Sequence, residues 1–411
     1  MRTTTRADVR TLDPADLVGW CAVLNHAFFL PHDPAASAEV RRGGLDFDRT
    51  LAGYADGQVV STFRSFPTPL TLPGGGVLTA DAITAVTVSA THRRQGLLTE
   101  MMTTDLRAAR DRGEPVAILI ASEWSIYGRF GFGAATEHAE YELDARSARF
   151  VDGGAGTVAY STADEMRALA PAVFDAHRLT SVSEIGRTDR TWDVTFGQLT
   201  APWSDHSKDV HVLCRDDDGQ TSGYATFTIE DRWDGRRPNV LLTLREMVTT
   251  HQAAATRLWR FLCDIDLVMT VKAADRSVAE PLRWQLGNAR ALHQRDRADF
   301  QWVRLLDVPT ALAARRYPAP GRVVLEVVDG LGMSGGRYEL EGSPDGAECR
   351  PTTRSADLSL DVRELGAVYL GGAGLQELAT AGLVIERSSG ALAGADAMFR
   401  GAMSPWSATW Y

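Results

Sequence analysis

Lysine is almost missing from this 411-residue chain: Lys208 and Lys272 are the only two, and the other cations are arginines. We read that as a compositional bias of the source genome. Paired cysteines are missing as well. Cys21, Cys214, Cys263 and Cys349 are scattered and form no CxxC. Neither a metal cage nor a disulfide framework is expected; small buried apolar residues are. None of the nine histidines pairs at ligand spacing, so no metal is expected. No apolar run approaches the roughly 18–20 residues of a membrane span. The start, Met1-Arg-Thr-Thr-Thr-Arg-Ala-Asp8, has no hydrophobic signal core, which makes a reducing cytoplasm the expected location. Positive charge is in deficit, with a formal net charge of −10. That argues against a general nucleic-acid binder. It suits a cationic small substrate, or simply a solvated surface.

What is present fits a globular chain of several domains, with 44% hydrophobic and 23% charged residues. Asp13 and Pro14 read as a helix start, and the helix should run to about Phe29. Hairpins are expected at Asp56-Gly57 and around Pro73–Gly76, then a long strand over Leu78–Ser89. A helix follows, stopped by Gly113 and Pro115, then the buried strand Val116–Ala121. A strand about Glu137–Leu143 and the glycine-rich Gly153–Gly156 close a first unit, 1–150. The second unit, 151–300, repeats the strand-to-helix step: Val88-Ser-Ala-Thr-His92 lines up with Met247-Val-Thr-Thr-His251. The third, 301–411, holds strands near 323–328, 337–341 and 357–361 and two short helices. It ends in Trp406-Ser-Ala-Thr-Trp-Tyr411, an aromatic end expected to pack against something.

Two motifs in the third unit fail their context. Gly330-Leu-Gly-Met-Ser-Gly335 matches the dinucleotide fingerprint, and Gly332-Met-Ser-Gly-Gly336 matches a hydrolase nucleophile elbow. Both need a helix next. Arg337–Glu341 alternates like a strand, so a hairpin loop is expected and Ser334 is a weak nucleophile candidate.

Thr91-His-Arg-Arg-Gln-Gly-Leu-Leu98 passes that test, since it joins a long strand to a helix. A helix N-terminus offers unpaired N–H groups and a positive partial charge. Gly96 leaves no Cβ in a ligand's way, and Arg93 and Arg94 add planar donor forks. The turn reads either as a solvated surface turn or as a socket for a phosphate. In the second copy Gln252-Ala-Ala-Ala255 replaces Arg93–Gly96, so no phosphate is expected there.

These residues resemble the GNAT acetyltransferase superfamily, whose pyrophosphate loop corresponds to Arg93-Arg-Gln-Gly-Leu-Leu98. Leu98 stands where a Gly or Ala is usual. Together with Ala121-Ser-Glu-Trp-Ser-Ile-Tyr-Gly-Arg-Phe-Gly-Phe-Gly133 they resemble its enhanced-intracellular-survival (Eis) branch, which commonly has glycines in place of Trp124 and Ser125. The resemblance implies a mixed α/β (α+β) chain: a catalytic GNAT domain, a degenerate second one and a sterol-carrier-protein-like third. It implies acetyl-CoA as cosubstrate, with Val86 and Val88 along the pantetheine arm and the Val88 N–H on the thioester oxyanion. Arg93, Arg94, Gly96 and Leu97 would bind the pyrophosphate, and Ser122 would line the slot. Tyr127 would be the general acid, a phenol of ordinary pKa ~10 matched to a thiolate. The Tyr411 α-carboxylate would reach the site as base, if burial or a water relay lifts its basicity. His92 reads as a helix-entry residue. Trp124 is expected to narrow the acceptor pocket.

The resemblance further implies primary amines of cationic molecules as acceptors (aminoglycosides, polyamines, lysine side chains), no membrane or nucleic-acid partner, and a homo-oligomer, a hexamer. Two rivals remain at this level. The third unit could make the protein a non-catalytic carrier of an apolar ligand, and Ser334 could make it a hydrolase.

Overall fold

The strands read from the sequence assemble into three main sheets in the computed structural model, which describes residues 7–401 and 403–411. The start read for a signal core lies largely outside the described residues. The first sheet has seven strands in the order β1-β2-β3-β4-β5-β16-β6. They are β1 (Asp8–Thr11), β2 (Thr50–Ala55), β3 (Gln58–Thr71), β4 (Val77–Val88), β5 (Val116–Ile120), β16 (Gln301–Leu305) and β6 (Gly133–Ala134). Asp56-Gly57 turns β2 into β3, with Asp56 at φ 49° and Gly57 at φ 76°. On one face lie α1 (Leu17–Ala27) and α2 (Pro34–Arg42). Asp33 caps α2 by accepting from the Ala36 N–H. On the other lies α3 (Leu97–Asp111), which presents Met101, Met102, Leu106 and Ala109 to Phe63, Ile83 and Leu119. Those α3 residues recur at helical spacing and so share one face.

The second sheet runs β15-β7-β14-β13-β10-β9-β8. Its strands are β7 (Glu137–Asp144), β8 (Thr157–Ser161), β9 (Val210–Arg215), β10 (Thr221–Glu230), β13 (Val240–Thr249), β14 (Val268–Ser277) and β15 (Leu292–Asp299); a ribbon of β11 (Trp233–Asp234) and β12 (Arg237–Pro238) stands apart. Its helices are α5 (Ala163–Arg178), α6 (Asp189–Thr195) and α7 (Gln252–Asp264). Two strands cross the limits drawn along the sequence. β7 sits between β15 and β14 of the second sheet, and β16 sits between β5 and β6 of the first. The first unit thus lends β7 to the second sheet, and its own sheet is completed by β16 from the start of the stretch assigned to the third unit.

The third sheet, β19-β18-β17-β20-β21, comprises β17 (Gly321–Val328), β18 (Gly336–Ser343), β19 (Gly346–Pro351), β20 (Leu358–Asp361) and β21 (Val384–Glu386). Its helix Val362–Tyr369 lies close on β16, because Gly366 has no Cβ: one would stand 2.1 Å from the Val303 carbonyl. Polar groups are tied down inside this unit. Arg315, fully buried, donates to the Val368, Tyr369 and Phe399 carbonyls, and the Tyr317 and Tyr369 hydroxyls donate to Leu312 and Ala311. The 330–335 stretch is the β17–β18 hairpin loop. Ser334 is buried and donates to the Leu305 carbonyl at 2.8 Å, while Asp329 accepts the Met333 and Ser334 N–H groups. Both decoys are structural.

Candidate active site

β4 and β5 run parallel and pair only from Ala80/Val116 to Ile83/Leu119. Beyond that β4 continues to Val88 on β3 alone, so the two strands part and leave a wedge. At the fork β4 bulges. Thr62 faces Thr87 and Arg64 faces Thr84, so two residues, Ala85 and Val86, oppose Phe63. Ala85 takes φ 55°. The Thr62 hydroxyl pins the bulge by donating to the Ala85 carbonyl at 2.7 Å. After the bulge the Ser89 N–H donates to Val60 O, which makes that a bonded pair. By alternation Ser61/Val88 is a non-bonded pair, and the Val88 N–H points away from β3 into the wedge. Val86 lies in the bulge itself. Sequence pattern carried no signal for it.

α3 opens into the same region. Its N-cap is Gly96, at φ 88° and with no side-chain cap, so the first N–H groups of the helix are left for another partner. The left-handed φ is what demands glycine there, and the space where a Cβ would stand is open. Arg94 is also left-handed, at φ 63°, a costly state for a non-glycine residue that clusters at ligand sites. Arg93 and Arg94 are exposed, Leu97 is buried, and Arg93 stands 4.0 Å from Glu123 across the turn. The His92 ring lies 2.9 Å from the Thr91 hydroxyl, and its backbone N–H donates to the Ser89 carbonyl.

β5 leads to Ser122 and then to α4 (Trp124–Tyr127). Tyr127 is buried, edge-on to Phe132. Burial pushes its phenol up to about 12; a hydrogen bond with Ser122 opposes the rise and Glu123 adds to it. The match to a thiolate expected from an ordinary phenol is thus displaced: this phenol is a weaker acid that stays protonated. The Trp124 indole packs edge-on to Trp302 at 4.9 Å, on the α3 face, at the mouth of a cleft of about 920 Å³ between the three units.

The aromatic end is packed, as expected. Trp406 donates to the Asp275 carbonyl, Trp410 meets Phe300 edge-on and Tyr411 meets Phe66 edge-on at 5.9 Å. The buried Glu184 takes the Ser407 hydroxyl and the Ala408 N–H, and Arg187 donates to Thr409 and the Ala408 carbonyl. The second unit thus straps the tail onto the first. Phe66 projects from β3 on the α1–α2 face, two residues past Arg64. Glu184, Arg187, Phe66 and Arg64 escaped the sequence reading, because each acts through partners far away along the chain.

An acetyltransferase (GNAT) domain family matches residues 8–135, a second acetyltransferase (GNAT) domain family matches 184–305, and a sterol carrier protein domain matches 308–408. The chain is similar to an uncharacterized N-acetyltransferase of Streptomyces avermitilis, 40% identical over 97% of both chains. It is similar to the N-acetyltransferase Eis of Mycobacterium tuberculosis, 34% identical over 80% of both. Among solved structures, Eis1 of Mycobacterium abscessus superposes with a TM-score of 0.84 at 30% identity, covering 98% of this chain and 100% of that one. This chain belongs to the Eis-type GNAT N-acetyltransferases. It is an enzyme of the class that draws on acetyl-CoA, built from tandem GNAT folds and a sterol-carrier-like unit.

The second GNAT copy keeps the wedge and loses the opening. β13 and β14 pair in parallel only as far as Leu244/Ala273, and Arg245 is the extra residue of a bulge against β10. Met247 takes the place of Val88. Its carbonyl accepts from the Arg276 guanidinium at 2.9 Å, and that guanidinium lies 4.9 Å from the centre of the Trp406 ring. His251 caps α7, accepting from the Ala254 N–H. The chain's own side chains occupy what the first copy leaves free.

Proposed function

We propose that the first unit transfers an acetyl group from acetyl-CoA to a primary amine by direct attack. The observation that carries this is the uncapped, left-handed Gly96 turn beside a wedge into which the Val88 N–H points. Arg93, Arg94, Gly96 and Leu97 hold the pyrophosphate with fixed charge and helix N–H groups. Val86 and Val88 extend β4 along the pantetheine arm, with Ser122 opposite. The amine nitrogen bonds to the thioester carbon while the Val88 N–H stabilises the oxygen. The carbon–sulfur bond then breaks and the leaving sulfur takes a proton from Tyr127. Because the buried phenol is a weak acid, its hydrogen bond to the sulfur counts for as much as full transfer. The ammonium proton leaves to the Tyr411 α-carboxylate, directly or through water.

A homohexamer in the cytoplasm completes this reading, and light scattering checks the assembly. The buried Arg315 and the hydrogen-bonded tyrosine hydroxyls inside the third unit speak against the apolar-carrier reading. Which amine is taken is a property of the acceptor face; aminoglycosides, polyamines and lysine peptides enter the assay as one panel. The test is free-thiol release from acetyl-CoA across that panel. Amine-dependent release is expected; none from a broad panel removes the reading. Full turnover by a chain extended beyond Tyr411 removes the carboxylate base alone.

A further inference from the structure

In the transferase reading the acceptor approaches the bulge from the face that carries Phe66 and Tyr411, and that face also holds a pair of neighbouring arginines. Arg64 pairs with Thr84, immediately before the bulge. Its guanidinium lies 5.1 Å from the centre of the Phe66 ring, which in turn packs on Tyr411. Its charged neighbour is another arginine, Arg41 of α2, itself stacked 4.4 Å from the centre of the Trp203 ring. Burial first, and then Arg41, lowers Arg64 to about 10, and burial lowers Arg41 too.

Neither has a counter-ion. Other well-buried arginines meet carboxylates: Arg49 meets Asp81 and Glu114, Arg187 meets Glu246, Arg276 meets Glu280 and Arg304 meets Asp329. Arg315 spends its donors on three carbonyls. Arg64 donates to the Gly44 carbonyl, but among the described residues no carboxylate pairs with it or with Arg41. The Nε of each is buried without a partner. Arg190 adds a third cation here, donating to the Val40 carbonyl. The terminal carbonyls of α2 absorb part of this charge. They leave two like charges side by side in a partly desolvated site, an arrangement that a bound anion relieves.

We propose that the acceptor is an amine whose molecule also carries an oxyanion, a carboxylate or a phosphate, held by Arg64 and Arg41. This rests on the transferase reading above. It runs against the polycationic acceptors implied by the resemblance and against the pull of a net charge of −10. The planar guanidinium suits a forked oxyanion, and the stack on Phe66 aims it along the route to the bulge. The amine end then lies toward the acetyl group while the anionic end is anchored.

The experiment compares γ-aminobutyrate with n-pentylamine, phosphoethanolamine with ethanolamine, and both sets with spermidine, by thiol release. In the wild type kcat/KM for at least one anionic amine exceeds its neutral-tailed counterpart about tenfold or more, as charge-assisted bonds predict. The faster pair tells carboxylate from phosphate. Arg64→Met and, independently, Arg41→Gln bring that ratio toward one; if the first does not fold, the second carries the readout. Spermidine or the neutral amines outrunning both anionic amines overturns the proposal alone. So does a ratio that both variants leave unchanged. Thiol release with no amine in either set or in the broad panel overturns it together with the transferase reading.

Discussion

The two GNAT copies share a strand-to-helix step and differ in what stands in it. In the first, Gly96 leaves α3 uncapped and the Val88 N–H faces a gap. In the second, His251 caps α7 and Arg276 reaches across to Met247. The wedge and bulge are common to both, so they belong to the fold; the unfilled polar groups belong to function. A backbone donor left without a partner costs free energy unless a ligand or water meets it. In the second copy the helix has its cap and Arg276 occupies the wedge, so this copy can serve as scaffold.

The comparison breaks most sharply at Tyr127, which has no counterpart role in the second copy. Tyr127→Phe is expected to lower kcat about 100-fold or more, with the KM for acetyl-CoA little changed. Steady-state thiol assays check this. Because burial holds the phenol up at about 12, the neutral acid is present throughout the neutral and mildly alkaline range and is lost only as pH rises through that value. The wild-type rate should show no alkaline fall up to about pH 10, where an ordinary phenol would be half ionised. A fall below that, absent in Tyr127→Phe, contradicts the assigned burial.

Next comes the turn. Arg93→Gln with Arg94→Gln should raise the KM for acetyl-CoA about tenfold or more, with a smaller effect on kcat, since exposed arginines contribute charge-assisted bonds to phosphate. The converse graft, Gln252→Arg with Ala255→Gly, should not create a second site, because the wedge behind it is filled. Calorimetry finding a second acetyl-CoA per chain would sink the distinction. Arg276→Met, which empties that wedge, is expected to destabilise by about 2 kcal/mol or more, since it leaves the buried Glu280 unpaired. Its readout is a lowered Tm with acetyl-CoA binding by the first copy retained. The smallest effect is expected of Ser334→Ala, a loss of about 1 kcal/mol in urea unfolding with turnover unaltered.

Much of this difference was legible in the sequence. Helical spacing placed α3, the repeated strand-to-helix step placed its counterpart, and the replacement of Arg93–Gly96 by Gln252–Ala255 marked the second copy as blank. The loss of a helix in favour of the strand from Gly336 disposed of both decoys. What could not be read was set by pairing between distant stretches. The Ala85 bulge exists because β3 and β4 run out of register by one residue, and no residue type announces that. β16 was missed because Arg304 interrupts an apolar strand; its charge is answered by Asp329 from a remote hairpin. Arg64 sits in an otherwise ordinary strand, and only its neighbours make it informative.

The exchange of β7 and β16 has a consequence for how this enzyme comes into being. The pairing of Val303 with Ile118 closes the first sheet across a sequence separation of 185 positions (303 − 118). As the polypeptide emerges, α3 and the Gly96 turn can form early from local contacts, yet β5 keeps a bare edge until the whole second unit has been made. Such long-range closure is slow, and an exposed strand edge in the meantime invites pairing with a neighbouring chain. The order of synthesis thus makes the scaffold copy a prerequisite for completing the catalytic one, and predicts that a fragment ending near residue 150 would be produced as a sticky, unfinished half.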